Sequence, residues 1–174
     1  MKKNLIIDID NNDNFVDGAT VSKVGNITYD MCKNIVDEIY GVTNGRLSSE
    51  MIRLYQEDGI IAEPAGALSL SVLDQIPNIK GKNVICILSG GNNDLLRYPD
   101  ILNRALVHQN KIHYYIIRFA QVSGQLHDFI KNILGQFDDI VRFEYIKKTE
   151  INFGNVLLVL KFKIKKTFVH SSLN

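Results

Sequence analysis

Charge of either sign is almost cancelled in this sequence: Lys and Arg number 20 against 19 Asp and Glu, a formal net charge of +1. Such a chain has no field to gather nucleic acid or an anionic membrane surface, and neither partner is expected. Cysteine is scarce. Cys32 and Cys86 lie far apart with no further thiols to build a zinc site or a disulfide framework, so they read as reduced, packed thiols. Long apolar runs are missing too. Met1-Lys2-Lys3-Asn4 leads into only three apolar residues, 5–7, before Asp8. That gives neither a signal peptide nor a membrane span, and a cytoplasmic location is expected.

The common signatures of chemistry are absent as well. No Gly-Lys-Ser/Thr ending makes a P-loop, and no third glycine completes a dinucleotide fingerprint after Gly90-Gly91. The acid- and amide-rich stretch 8–14 lacks calcium-loop spacing, because Asp13 stands where glycine is needed and Ala19 where a bidentate glutamate is needed. His108, His113, His127 and His170 do not pair on one helix face beside a carboxylate in a metal pattern, and no serine sits in a Gly-x-Ser-x-Gly elbow. No metal site is expected.

What remains is globular. Of 174 residues 45% are hydrophobic, enough for one sizeable core or two small ones. Tyr29, Cys32, Ile35, Val36 and Ile39 recur at helical spacing, predicting a helix over 29–39 that breaks at Gly41. Leu47, Met51, Ile52, Leu54 and Tyr55 mark a second, ending near Gly59. Pro64 suits the first turn of a third, where its missing N–H costs nothing, and Gly66, Ala67 and Ser69 keep it thin enough to lie close to a neighbour. The continuous apolar run 84–88 is expected as a strand buried on both faces of a parallel sheet, followed by a helix over 94–107. This alternation is that of an α/β layer architecture.

The run 84–88 opens into Ser89-Gly90-Gly91-Asn92-Asn93-Asp94. In open α/β sheets, ligands sit beyond the carboxyl ends of strands, where small residues let them approach the backbone. The other reading is a tight turn with positive φ at the two glycines. The stretch by itself leaves both open.

Three segments, FVDGATVSKVGNITYD, IIAEPAGALSLSVLDQ and GKNVICILSGGNND, carry a resemblance in this order and spacing. They resemble the end of the catalytic domain of biosynthetic threonine dehydratases (threonine ammonia-lyases), pyridoxal-phosphate enzymes of the tryptophan-synthase-β-like, fold type II class. Further on, YYIIRFAQ, SGQLHDFIKNILG and DDIVRFEYIKKT are similar to the ACT-like regulatory module that follows that domain in the same family. Together the segments cover nearly everything from residue 14 to 149.

The resemblance implies a lyase that converts L-threonine to 2-oxobutanoate and ammonia in isoleucine biosynthesis, with pyridoxal 5'-phosphate as cofactor. It implies that the Ser89 hydroxyl hydrogen-bonds the pyridine nitrogen while Gly90 and Gly91 leave room for the ring. A neutral hydroxyl does not force a proton onto that nitrogen, so the ring is a weaker electron sink and elimination is favoured over transamination. Glu63, in AEPAGA, is implied to lie near the cofactor pocket; as a bare residue it reads equally as a cap on the following helix. Asp17, in VDGA, matches a position near a cation site in some relatives, and its reading as a turn-forming acid is preferred.

The family also needs a lysine for the Schiff base, in a Ser-Phe-Lys-like context, and a run of glycines that cups the phosphate. Here no lysine follows such a pair, and Gly90-Gly91 is the only pair of adjacent glycines. The polypeptide therefore resembles the back part of a longer enzyme, expected to make no 2-oxobutanoate by itself.

Residues 113–120 read as a strand, 124–134 as an amphipathic helix (Leu126, Phe129, Ile130, Ile133 and Leu134 inward), and 140–149 as a second strand. A third is expected over 155–166, where Leu160, Phe162 and Ile164 alternate with Lys161, Lys163 and Lys165 as on a strand with one wet face. This β-α-β-β order is the first part of the ferredoxin-like arrangement of ACT-like modules, with the closing helix and strand missing. The polar tail 164–174 would leave part of the sheet uncovered, implying marginal stability or pairing with another subunit. In the family, this module senses a branched-chain amino acid through the loop 120–124, which makes Gln121, Val122, Ser123 and Gly124 the candidate effector residues for isoleucine or valine. Ser123 stands where relatives usually carry Pro, and Val122 where a basic residue is common. Proline would stiffen the loop, so the departure bears directly on effector binding.

The expected organisation is an α/β portion of a pyridoxal-phosphate-dependent domain over 1–107, a linker over 108–112 and a C-terminally truncated α+β ferredoxin-like, ACT-like domain over 113–174. Two functions stay open: an enzyme part completed by the missing catalytic half, or a non-enzymatic amino-acid-binding and subunit-assembly module that forms homo-oligomers.

Overall fold

A computed structural model describes residues 6–10, 13–135, 137–145 and 153–162. The chain divides into two compact units, Met1–Ala105 and Leu106–Asn174.

The first unit is built on helices α1 (Asn26–Cys32), α2 (Asn44–Arg53), α3 (Pro64–Ser71) and α4 (Tyr98–His108). Thr43 starts α2: its Oγ accepts the Arg46 N–H at 3.3 Å, satisfying one of the orphan donors of the first turn. The helix runs on through a π turn, Leu54–Asp58, and stops at Gly59, whose φ of +67° suits a residue without Cβ. Leu47, Met51 and Leu54 on its inner face pack with Phe15, Ala62, Ala67 and Ile101 as the buried core. The charged side of α2 is braced as well. Glu50, nearly buried, accepts hydrogen bonds from Arg46 Nη1 at 2.9 Å and Arg53 Nε at 2.8 Å.

Three expectations for this unit are corrected. The helix predicted over 29–39 begins earlier and ends at Cys32, because Ile35 and Ile39 find nothing to bury against among the described residues and stand largely exposed. The run 84–88 is not a strand. No described strand lies beside it to complete a ladder, and Ile85 and Ile87 are 92% and 74% exposed rather than buried. The segment is held instead by side chains: Ser69 Oγ donates to the Ile87 carbonyl at 2.7 Å, and Cys86 Sγ donates to the Ser69 carbonyl at 3.6 Å. The helix expected from residue 94 opens as a 3-10 turn, Leu95–Arg97, before α4 proper; the Asp94 carboxylate caps that turn by accepting the Leu96 N–H at 2.9 Å.

The second unit contains β1 (Ile112–Ala120), α5 (Gln125–Ile133), β2 (Asp139–Tyr145) and β3 (Phe153–Lys161). The sheet is antiparallel in the order β1-β3-β2, with Phe119 opposite Gly154 and an irregularity between Ile140 and Arg142. Phe119, Val156, Leu158, Leu160 and Phe162 form its core, and Phe129 of α5 meets Phe119 edge-on at 5.2 Å between ring centroids. The expected alternation of the third strand holds over its described residues, with Leu158, Leu160 and Phe162 buried and Asn155 and Lys161 exposed; Val159 alone departs from it by being buried. Strands pair with β3 on both edges, so it is central in the sheet. The expected continuation of β2 over 146–149, the residues 163–166 of the third strand and the tail with His170 lie outside the described residues.

Candidate functional site

Three segments of the first unit converge at the tip that follows residue 88. The Glu63 backbone N–H donates to the Gly90 carbonyl at 3.1 Å, locking the tip to the start of α3. Pro64 occupies the first turn of α3, so no donor is lost there. Neither Gly90 nor Gly91 has a positive φ, which removes the tight-turn reading. Their lack of side chain serves close approach: a Cβ on Gly91 would stand 2.5 Å from the Ile61 carbonyl oxygen, and one on Gly90 would stand 2.4 Å from Glu63 Oε1. Gly66 matters equally, since its Cβ would lie 2.2 Å from the Gly90 carbonyl oxygen.

Ser89, at the head of this tip, is exposed, and its hydroxyl has no hydrogen-bond partner among the described residues. Glu63 does not cap α3 with its side chain. Its carboxylate lies against Gly90 and 3.8 Å from where a Cβ on Gly18 would be, with no hydrogen bond or ion pair to the described residues.

Asp17 is engaged by an arginine that no motif singles out. Arg97 Nη1 lies 3.3 Å from both Asp17 oxygens, and Nη2 donates to the Phe15 carbonyl at 2.6 Å. The Phe15 ring is flanked by two guanidiniums, Arg97 at 5.6 Å and Arg104 at 4.7 Å from its centroid. Asp13 is likewise occupied. Its carboxyl is held below the usual range by the Phe15 N–H, and also by the Asn44 amide at 2.6 Å. A second missed residue is Asn93, whose side-chain oxygen and nitrogen are both buried without a partner among the described residues. Asn93 follows Ser89, Gly90 and Gly91 on the same tip, and buried side-chain amides are rarely left without a partner.

In the second unit, Gln121 Nε2 donates to the Phe153 carbonyl at 3.2 Å, Val122 is exposed and Gly124 takes a φ of +92° at the head of α5. Ser123 lies in the same exposed turn. Beside this loop lies a cavity of about 180 Å³, walled by Phe119, Val122, Leu126, Phe143, Tyr145 and Val156. Among the described residues no cluster of His, Cys, Asp and Glu could hold a metal ion, and no helix is long and apolar enough to cross a membrane.

Residues 1–90, which carry Glu63 and the Ser89 tip, match the family described as pyridoxal-phosphate dependent enzyme. The chain belongs to that family. Residues 103–168 match the C-terminal regulatory domain of threonine dehydratase, so a fold type II portion is followed by a regulatory domain. The chain is 43% identical over 173 residues to the L-threonine dehydratase biosynthetic IlvA of Staphylococcus saprophyticus, covering 99% of this chain and 41% of that relative. The protein of the same name from Halalkalibacterium halodurans is 42% identical over 169 residues, 97% of this chain and 41% of the relative. Among solved structures, the processed form of threonine deaminase isoform 2 from Solanum lycopersicum superposes with a TM-score of 0.52 at 27% identity, over 57% of this chain and 28% of that one. This member of the pyridoxal-phosphate family thus spans about two fifths of the length of the curated relatives it matches.

Proposed function

We propose that this chain supplies the ring-binding side of the pyridoxal-phosphate site of a threonine dehydratase, together with the domain that regulates it. The cofactor's lysine and the glycine cup for its phosphate come from residues outside this sequence. The observation that carries this reading is the exposed Ser89 hydroxyl just before two glycines, on a tip pinned to α3 through the Glu63 N–H and packed against Gly66. Bound pyridoxal phosphate supplies the electron sink for removal of a proton from the amino acid's α carbon.

The chain's own residues do the rest. Ser89 would donate its hydroxyl to the pyridine nitrogen, and Gly90 and Gly91 let the tip that carries it sit against Glu63 and Ile61. The backing of α3 keeps the tip from shifting as the substrate reacts, and the Asn93 amide meets a polar group brought by the completing segment. The same reading divides the chain at 107 and 112, which is supported by the end of α4 at His108 and the start of β1 at Ile112.

The test joins this full chain to the part of the Staphylococcus saprophyticus relative that precedes the matched stretch. The chimera should release 2-oxobutanoate from L-threonine, whereas this chain alone should release none. A folded chimera without turnover, or turnover by the chain alone, refutes the proposal.

For the second unit we propose binding of an aliphatic amino acid such as isoleucine or valine, its side chain in the apolar cavity and its carboxylate at the head of α5. The support is the pairing of that cavity with the left-handed Gly124, which leaves the first N–H groups of the helix open.

A further inference from the structure

Gly154 sits inside β3, the central strand, where glycine weakens pairing and often marks a close approach. Its φ is not positive, so backbone conformation does not call for it. What lies over it is the Tyr145 ring. Tyr145 pairs with Val156, and Gly154 is two residues from Val156 on the same face of β3, which makes it the diagonal neighbour of Tyr145 across the strands. A Cβ on Gly154 would stand 2.6 Å from Tyr145 Cε2 and 3.3 Å from its Oη. The phenol thus lies down on bare backbone. No hydrogen bond to a described residue holds its hydroxyl, so packing keeps the ring low. On the other side of Gly154 stands Phe119 of β1, and Phe119 and Tyr145 both wall the cavity of about 180 Å³ beside the head of α5.

We infer that the Tyr145 ring sets how large an aliphatic side chain this cavity accepts, and that Gly154 is the positioning residue that keeps the ring out of it. This rests on the reading of the second unit as the binder of an aliphatic amino acid. Side chains stand roughly perpendicular to a sheet, and α5 packs on the face that Phe119 and Gly154 share. A group added to Gly154 would therefore lift the ring off the strand, toward the space that Phe119, Leu126 and Val156 enclose. The added carbon meets the far end of a side chain rather than main chain, so the strand accommodates it while the cavity shortens. One methylene more or less in an apolar pocket discriminates by about 10- to 200-fold, which makes even a small lift readable.

The experiment titrates the full chain with L-valine and L-isoleucine by calorimetry, as wild type, Gly154→Ala, Tyr145→Ala and the double variant. Gly154→Ala should weaken isoleucine by about tenfold or more, and valine less, because the cavity is shortened rather than blocked. The double variant should bind isoleucine as Tyr145→Ala does, since without the ring the added methyl has nothing to displace. A loss that persists in the double variant belongs to the strand itself and overturns the inference. If Gly154→Ala does not fold, Tyr145→Ala alone decides: the deeper cavity should raise the preference for isoleucine over valine by about tenfold, and an unchanged preference overturns the inference. Isoleucine bound as tightly by Gly154→Ala as by wild type also overturns it, leaving the amino-acid reading intact. A wild-type chain that binds neither amino acid overturns both.

Discussion

Gly66 and Gly90 touch through bare backbone: a Cβ on Gly66 would stand 2.2 Å from the Gly90 carbonyl oxygen. The obstruction is main chain already tied to Glu63 N–H, so it cannot swing aside. Gly66→Ala should therefore destabilise the first unit by about 1–3 kcal/mol through overpacking. Gly41→Ala, with nothing within 4 Å and no positive φ, should stay within about 0.5 kcal/mol of wild type. Urea unfolding followed by circular dichroism reads both; equal effects would show that α3 and the tip are not in close contact.

Glu50 gives the first unit an acid limit. Burial pushes its carboxyl upward, but hydrogen bonds from Arg53 and Arg46 outweigh that and leave it below the ordinary glutamate value. A carboxylate whose folded value is lowered contributes stability that is complete above the unfolded range, about pH 4.3, and is lost as pH falls through the folded value. Glu50→Gln should cost roughly 1–3 kcal/mol at neutral pH, moderated because both arginines reach solvent. The cost should shrink as pH falls through that window, and a penalty that stays constant down to pH 3 would contradict the account.

Leu158 on β3 is 1% exposed at the centre of the second core, whereas Ile116 on β1 is 80% exposed. Leu158→Ala should lose about 2–5 kcal/mol, the transfer term plus the cavity it leaves. Ile116→Ala should change stability by less than about 0.5 kcal/mol. Hydrogen exchange of the β1 and β3 amides distinguishes the two variants.

Isoleucine added to the chain should raise the melting temperature of the second unit, by the equivalent of about 2.7 kcal/mol at a hundredfold excess over its dissociation constant. Val122→Asp places a charge at the exposed mouth of the cavity and should abolish the shift without altering the melt of the free protein. A shift that survives the substitution would move the effector elsewhere.

Much of this was legible from spacing alone. Pro64 at the head of α3, the stop at Gly59 and the β-α-β-β order all follow from local chemistry, because each is set by residues adjacent in sequence. The failures share a cause. Residues 84–88 have the composition of an inner strand, but a strand exists only with a neighbour, and the neighbour is not coded nearby. The alternation on β3 holds except at Val159, whose burial depends on what packs over that face and is not coded in the strand itself. At the site, Ser89, Gly90, Gly91 and Glu63 were named from motifs, while Arg97 and Asn93 were not. Arg97 acts on Phe15 and Asp17 from across 80 residues, and no local pattern encodes that distance.

The bare run from Val84 to Leu88 also sets the terms on which this polypeptide survives. Five uncharged, β-prone residues without proline, all but Cys86 exposed, are the kind of segment that stacks on its own copies and that quality-control machinery seizes. Self-stacking rises with the square of the chain's own concentration, so intact yield should decline as this chain is overproduced.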